Sequence, residues 1–153
     1  MRVAVVSDIH ANLQAWEAVR SDIEFRDVDT TICLGDVVGY GPSPAEVLED
    51  VRQMCHHFVL GNHDAVVAGF IDPQQFNPLA RRLVGHSIES LDSKACKSFR
   101  EIPLVLKGTI FRCSHGSPAE PARFMDVLTE EPPRREGVEP HGERLDGGLA
   151  VNP

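Results

Sequence analysis

The strongest constraint on this chain is a repeated local pattern. A short apolar run rich in β-branched residues ends in a cluster of Gly, Asp, Asn or His, and a helical period follows. Residues 2–7 form the first run, which reads as a buried strand. They lead into Ser7-Asp8-Ile9-His10 and then Leu13, Trp16, Val19 and Ile23 at helical spacing. Residues 30–34 form the second run, followed by Gly35-Asp36-Val37-Val38-Gly39. A helix start comes next at Ser43-Pro44-Ala45-Glu46, which reads as a capping box with proline at the first helical position. Residues 58–60 form the third run, followed by Gly61-Asn62-His63-Asp64. Strand, helix, strand, helix, strand in this order predicts an α/β fold, with parallel strands joined by right-handed crossovers.

Other local signals extend the pattern. Asn12 is placed to cap the first helix. Asn77-Pro78 opens a further helix, with Leu79, Leu83, Ile88 and Leu91 expected along one side. A short helix is expected over residues 92–99. A β-hairpin is expected from residues 104–107, Gly108 and residues 110–113. After Gly116 the texture changes: six of the 11 prolines fall in residues 117–153, where only residues 124–128 look helical. At 153 residues the chain fits one domain, with a core over residues 1–118 and a degenerate or truncated C-terminal part of the same domain over 119–153.

Composition narrows the class. Hydrophobic residues at 42% and charged residues at 25% are globular rather than disordered. No apolar run is long enough to span a membrane. Arg2 and Asp8 leave no room for a signal peptide's apolar core, so a cytoplasmic protein is expected. The formal net charge of −8 disfavours nonspecific contact with a nucleic-acid backbone, while leaving room for a local phosphate site built on metal ions. Cys33, Cys55, Cys96 and Cys113 form no C-x-x-C pair. Cys33 and Cys113 lie in strand-like runs and are expected to be small buried residues.

The candidate chemistry sits where strands end. In parallel α/β sheets ligands bind beyond the carboxyl ends of the strands. That gathers the three clusters above with a fourth, Ser114-His115-Gly116. Asp8 and His10 lie two apart, so on an extended strand end they would point to one side. The mixture of carboxylate, imidazole and amide oxygen suits Mn, Fe or Zn better than Ca or Mg. Asp36 has two carboxylate oxygens with which to bridge two metals, and Asn62 can ligate through its carbonyl without adding charge. Gly35, Gly39 and Gly61 suit tight turns and close backbone approach. Plainer readings stand beside these. Asp64 also suits a helix cap. His56-His57 begins a strand, Gly85-His86-Ser87 lies mid-helix, Arg134-Arg135 reads as solvated charge, and His141 sits among prolines.

The string Asp8-x-His10, Gly35-Asp36-x-x-Gly39, Gly61-Asn62-His63-Asp64 and His115-Gly116 resembles the calcineurin-like metallophosphoesterases, most closely their small bacterial and archaeal phosphodiesterase branch. Gly39-Tyr40-Gly41-Pro42 and His115-Gly116-Ser117-Pro118 resemble that branch as well. The resemblance implies a four-layer fold: a sandwich of two sheets flanked by helices. It implies two divalent metals, one on Asp8, His10 and Asp36 and the other on Asp36, Asn62 and His115. It implies that His63 protonates the leaving oxygen or stabilises the transition state, with Asp64 orienting its ring. The implied reaction is two-metal hydrolysis of a small phosphate ester, such as a nucleotide.

One family signature, Gly-His-Thr-His or close to it, does not occur in the sequence. Asp146-Gly147-Gly148 and Leu149-Ala150-Val151-Asn152-Pro153 resemble the stretches expected after it. The expectation is therefore a fold incomplete in its C-terminal part and an impaired phosphodiesterase or phosphatase. Two alternatives remain: a non-catalytic metal- or partner-binding remnant, and a protein serine/threonine phosphatase-like enzyme. The sequence leaves the oligomeric state open.

Overall fold

A computed structural model describes residues 1–108, 111–117 and 119–121. The expected helical fragment at residues 124–128, Arg134, Arg135, His141 and nearly all of the expected C-terminal part lie outside the described residues.

The three β/α repeats form in the expected order, with the third strand at His57–Phe58 rather than over residues 58–60. Strand β1 (Val3–Val6) leads to helix α1 (Leu13–Phe25), β2 (Thr30–Cys33) to α2 (Pro44–Met54), and β3 (His57–Phe58) to α3 (Asn62–Val67). The strands pair in the order β1-β2-β3, all parallel, with Val5 opposite Ile32 and Cys33 opposite Phe58. Helices α4 (Pro78–Ser90) and α5 (Ser93–Ser98) follow, and then β4 (Val105–Lys107) and β5 (Arg112–Ser114) form a second, antiparallel sheet. The mixed α/β architecture with two sheets is thus present. The helix starts are set locally: Asn12, Asn77 and Asp92 each accept a hydrogen bond from the backbone N–H three residues on.

Four local expectations need correction. Ser43 precedes α2 with Pro44 in the first turn, but its side chain makes no capping hydrogen bond, so the capping box is not formed. Strand β1 is not buried along its length, because Val5 on its outer face is 55% exposed. Helix α4 turns a partly different face inward: Leu79 is 62% and Ile88 39% exposed, whereas Ala80, Val84 and Ser87 are buried together with the expected Leu91. Small side chains let this helix approach the α3 and Gly39 backbones, which a Leu-lined face would hold off. Cys33 is buried as expected, whereas Cys113 is only half-buried.

The core draws on every layer around β2. Trp16, Val47, Leu48, Val51, Leu60, Val66, Val84 and Phe99 belong to one buried cluster, with Val37 and Val38 of the polar loop among them. Helices α1 and α2 are also tied by Asp50, which accepts from the Trp16 indole and, at 2.6 Å, from Arg20 Nη1. The apolar cluster therefore sits directly beneath the loops that follow β1, β2 and β3.

Candidate metal centre

Those loops are locked together by backbone hydrogen bonds. Asp8 N donates to Gly35 O at 3.1 Å, His10 N to Asp36 O at 2.9 Å, and Ala11 N to Val37 O at 2.8 Å. Asp8, His10, Ala11 and Asp36 all have left-handed backbone, with φ between 50° and 56°. Side chains other than glycine rarely adopt it, so each such residue costs about 1–3 kcal/mol unless its surroundings fix it. Asp8 and His10 are therefore brought together by strained turns after β1, rather than by an extended strand end as the sequence suggested.

Close approach sets the glycines. A Cβ at Gly61 would stand 2.1 Å from Asp36 Oδ1, so only glycine lets the α3 entry lie on that carboxylate. Gly39 has φ 123°, and a Cβ there would meet His63 Nδ1 at 2.6 Å.

Asp36 is the hub. It is almost fully buried, and its Oδ1 accepts from His63 N at 2.9 Å. Its Oδ2 lies 3.7 Å from His10 Nε2 and 3.5 Å from His115 Nε2. His10 Nε2 is also 3.7 Å from Asp8 Oδ1, and His115 Nε2 is 3.1 Å from Asn62 Oδ1. The structure thus brings together all five residues expected to ligate metal. Their donor atoms also group as His10, Asp36 and His63, and as Asp8, Asp36 and His115, each within 4.8 Å. Asp36 is common to both groups.

The orientation of the two imidazoles decides what this cluster fits. His10 Nδ1 sits 3.1 Å from Val38 O, and His115 Nδ1 sits 2.8 Å from Leu34 O. A carbonyl can only accept, so each Nδ1 carries a proton, and in its neutral form each ring turns a lone pair outward at Nε2. Those lone pairs face carboxylate and amide oxygens, which are also acceptors. Converging acceptors around one buried point repel each other unless a cation lies between them, and this is how histidine ligands are held to a metal. The donor set therefore fits divalent metal ions.

Electrostatics agree with an interior that resists charge. Burial, and then the nearby Asp64, push the Asp36 carboxyl well above the usual carboxylate range. Burial first, and then the neighbouring His10 and His115, push the His63 imidazole down to about 4. Burial lowers His10 as well, opposed by its bond to Val38 and by Asp8.

His63 is buried, and among the described residues its Nδ1 has no hydrogen-bond partner. Its ring stands 4.8 Å from the rings of His10, Tyr40 and Phe76. The expected orientation by Asp64 is not what the structure shows. Asp64 is fully buried, and its Oδ1 accepts from Val37 N at 3.0 Å and Val38 N at 3.3 Å. Its Oδ2 accepts from Gly61 N at 3.3 Å. Both oxygens are turned to the backbone, so Asp64 ties the β2 loop to the start of α3, and aromatic packing holds the His63 ring instead. Burial pushes the Asp64 carboxyl up to about 6, against the pull of those backbone hydrogen bonds.

Two neighbours were missed as members of the site. Tyr40, read only as part of a motif, packs its ring 4.8 Å from both His10 and His63. Ser87 accepts from Gly39 N at 3.1 Å and donates to Gly39 O, so helix α4 pins the glycine turn. Its place on the Ala80–Val84 face was the available signal. The plainer readings hold for His56 and His86. His86 is exposed on α4 near Pro42 O, and His56 is exposed and accepts from Thr31 N.

Comparison with known proteins gives consistent matches. The family model for calcineurin-like phosphoesterases matches residues 1–145. An uncharacterized protein of Methanocaldococcus jannaschii is 36% identical over 123 residues, 78% of this chain and 51% of that protein. The crystal structure of a metallophosphoesterase from Sphaerobacter thermophilus is similar with a TM-score of 0.67 and 38% identity, covering 79% of this chain and 49% of that one. A hypothetical protein from Pyrococcus horikoshii shares the fold at a TM-score of 0.55 and 20% identity, covering 68% of this chain and 48% of that one. The chain spans about half the length of these relatives.

Proposed function

This chain belongs to the calcineurin-like phosphoesterase family, and from that premise we propose that it hydrolyses phosphate esters at a centre of two divalent metals. The observation that carries the reading is the convergence on Asp36 Oδ2 of His10 Nε2 and His115 Nε2, each imidazole held at its other nitrogen by a main-chain carbonyl. In this reading Asp8, His10 and Asp36 hold one metal, and Asp36, Asn62 and His115 hold the other. Mn, Fe and Zn suit this donor set. When bound, the pair would supply positive charge against phosphoryl oxygens and a more acidic water.

The protein's own part is orientation and proton placement. Asp36 uses Oδ1 to fix the entry of α3 through His63 N and leaves Oδ2 to the two imidazoles. A ring nitrogen of His63 lies within 4.8 Å of donor atoms of His10 and Asp36. His63 is the group proposed to hydrogen-bond the leaving oxygen, with Tyr40 and Phe76 limiting its rotation. Asp64 acts through the backbone that carries Asp36 and His63.

The test is hydrolysis of an aryl phosphodiester with Mn added. Activity is expected in the wild type and absent in Asp36→Asn. Equal rates in the two proteins would sink the reading. A second reading, metal binding with little turnover, is favoured by the three donors per metal that the described residues supply. Metal counting on purified protein, set beside the rate, separates the two. A small phosphorylated substrate and a cytoplasmic setting are part of the proposal. Among the described residues, no helix is long and apolar enough to cross a membrane.

A further inference from the structure

We propose that the cavity between the Tyr40–Pro42 turn and helix α4 binds a second phosphoryl group of the substrate, with Arg81 and Arg82 as the residues that hold it. The inference rests on the hydrolytic reading above for what lies next door, and it stands on its own observations for the site. The cavity has a volume of about 710 Å³, and Tyr40, Pro42, Arg81, Arg82, His86 and Glu89 are among its lining residues. That volume is in the range of small-molecule sites, about 300–1,000 Å³. Tyr40 forms part of its wall, with the same ring that stands 4.8 Å from His10 and His63. A molecule seated there therefore lies one side chain away from the metal centre.

The lining charge selects the ligand. Among the described residues, neither arginine forms an ion pair. Arg81 donates to the neutral amide oxygen of Gln74, which orients one arm of the guanidinium without cancelling its charge. Among the described residues Glu89 is the one carboxylate of this lining, so two fixed positive charges face one negative charge. In a chain of formal net charge −8 this is a local reversal of sign. Guanidinium forks match phosphate oxygens in pairs, which a point charge such as lysine does not. Two arginines in an otherwise acidic chain suit a compact polyanion rather than a nucleic-acid backbone, which needs many phosphate contacts. The ligand class is thus a phosphate ester carrying a further phosphoryl group. One group would lie at the metal centre and the other on Arg81 and Arg82.

Inorganic tripolyphosphate is the probe, titrated calorimetrically into the full chain stripped of metal and held in chelator at low salt. Tripolyphosphate is expected to bind, and orthophosphate to bind at least tenfold more weakly. Arg81→Gln with Arg82→Gln should weaken tripolyphosphate at least tenfold, and Arg82→Lys should restore only part of it. Arg112→Gln, at the exposed first residue of β5, should change nothing. Absence of tripolyphosphate binding in the wild type would overturn the inference, as would equal loss in Arg112→Gln. The readout needs no turnover. A chain that binds tripolyphosphate through these arginines yet hydrolyses no ester would refute the hydrolytic reading alone.

Discussion

The interior of this protein contains two adjoining regions built on opposite rules. Beneath the loops, Val47, Val51, Val84 and Phe99 pack as an apolar cluster with regular helix and strand backbone. Just above it, residues 8–11, 35–39 and 61–64 bury two carboxylates and an imidazole on a backbone that is left-handed at four residues other than glycine. The first region gains from burial, at about 25 cal/mol per Å² of apolar surface. The second is disfavoured by its own charge, as the raised Asp36 and Asp64 carboxyls and the lowered His63 imidazole show. Ser87 is where they meet: it sits on the buried face of α4 and turns its hydroxyl to Gly39. The contrast teaches that the apolar region supplies stability and the polar one uses it.

Asp36→Asn gives the sharpest test of that contrast. Hydrolysis should fall by about 10³-fold or more, equivalent to about 4 kcal/mol at 1.36 kcal/mol per tenfold. The metal-free variant should nonetheless be at least as stable as the wild type in urea. An asparagine can still accept from His63 N, and its amide can donate toward the imidazole lone pairs that now face a carboxylate. A marked loss of stability would break the comparison.

Phe99→Ala is the converse, since Phe99 is fully buried in the apolar cluster. A loss of about 4 kcal/mol is expected from the urea midpoint, within the ~3–5 kcal/mol typical of such truncations. Metal stoichiometry of the folded fraction should be unchanged. A loss under about 1 kcal/mol would show that stability resides elsewhere.

Asp64→Ala tests the polar region's one structural carboxylate. It strands the N–H groups of Val37, Val38 and Gly61 without acceptors, and about 3 kcal/mol should be lost. Asp64→Asn should recover part of this, because the amide oxygen still accepts. If the alanine variant lost activity and no stability, Asp64 would belong to the chemistry rather than to the clamp.

The pH dependence of the metal-free protein gives the smallest effect. His63 has an ordinary value of 6.5 when unfolded and about 4 when folded, so between those values the unfolded chain binds the extra proton. Its contribution is therefore intact above pH 6.5 and is lost as pH falls toward 4. The difference of 2.5 units corresponds to up to about 3 kcal/mol. Asp64, raised from 3.8 to about 6, works in the other direction and weakens folding as pH rises across that window. The measurement is thus the difference in slope between wild type and His63→Gln. Identical slopes would show that His63 is solvated.

Much of the site was legible because its chemistry is written in short strings. Asp8, His10, Asp36, Asn62 and His115 were singled out from their places after apolar runs, and the structure brings their donor atoms together. The three parallel strands and the caps at Asn12 and Asn77 were legible for the same reason, since each depends on residues a few positions apart. The reading of Asp64 as a helix cap was legible and holds for Oδ2, which accepts from Gly61 N, but the Oδ1 contacts to Val37 N and Val38 N were not, because no side-chain pattern encodes a bond to a distant backbone. Of the residues expected along one side of α4, Leu91 is buried but Leu79 and Ile88 are exposed, because smaller side chains fill the inward face there.

The sequence by itself determined where strands, helices and polar clusters begin, since propensity, capping and apolar period act over a few residues. Tertiary structure alone decided the left-handed turns at Asp8, His10, Ala11 and Asp36 and the tautomers of His10 and His115. It also set Asp64 as a backbone clamp and placed Tyr40 between the His10–His63 pair and the arginine-lined cavity. Each of these depends on a group at least 23 residues away, or on strain that only a packed surround can hold in place.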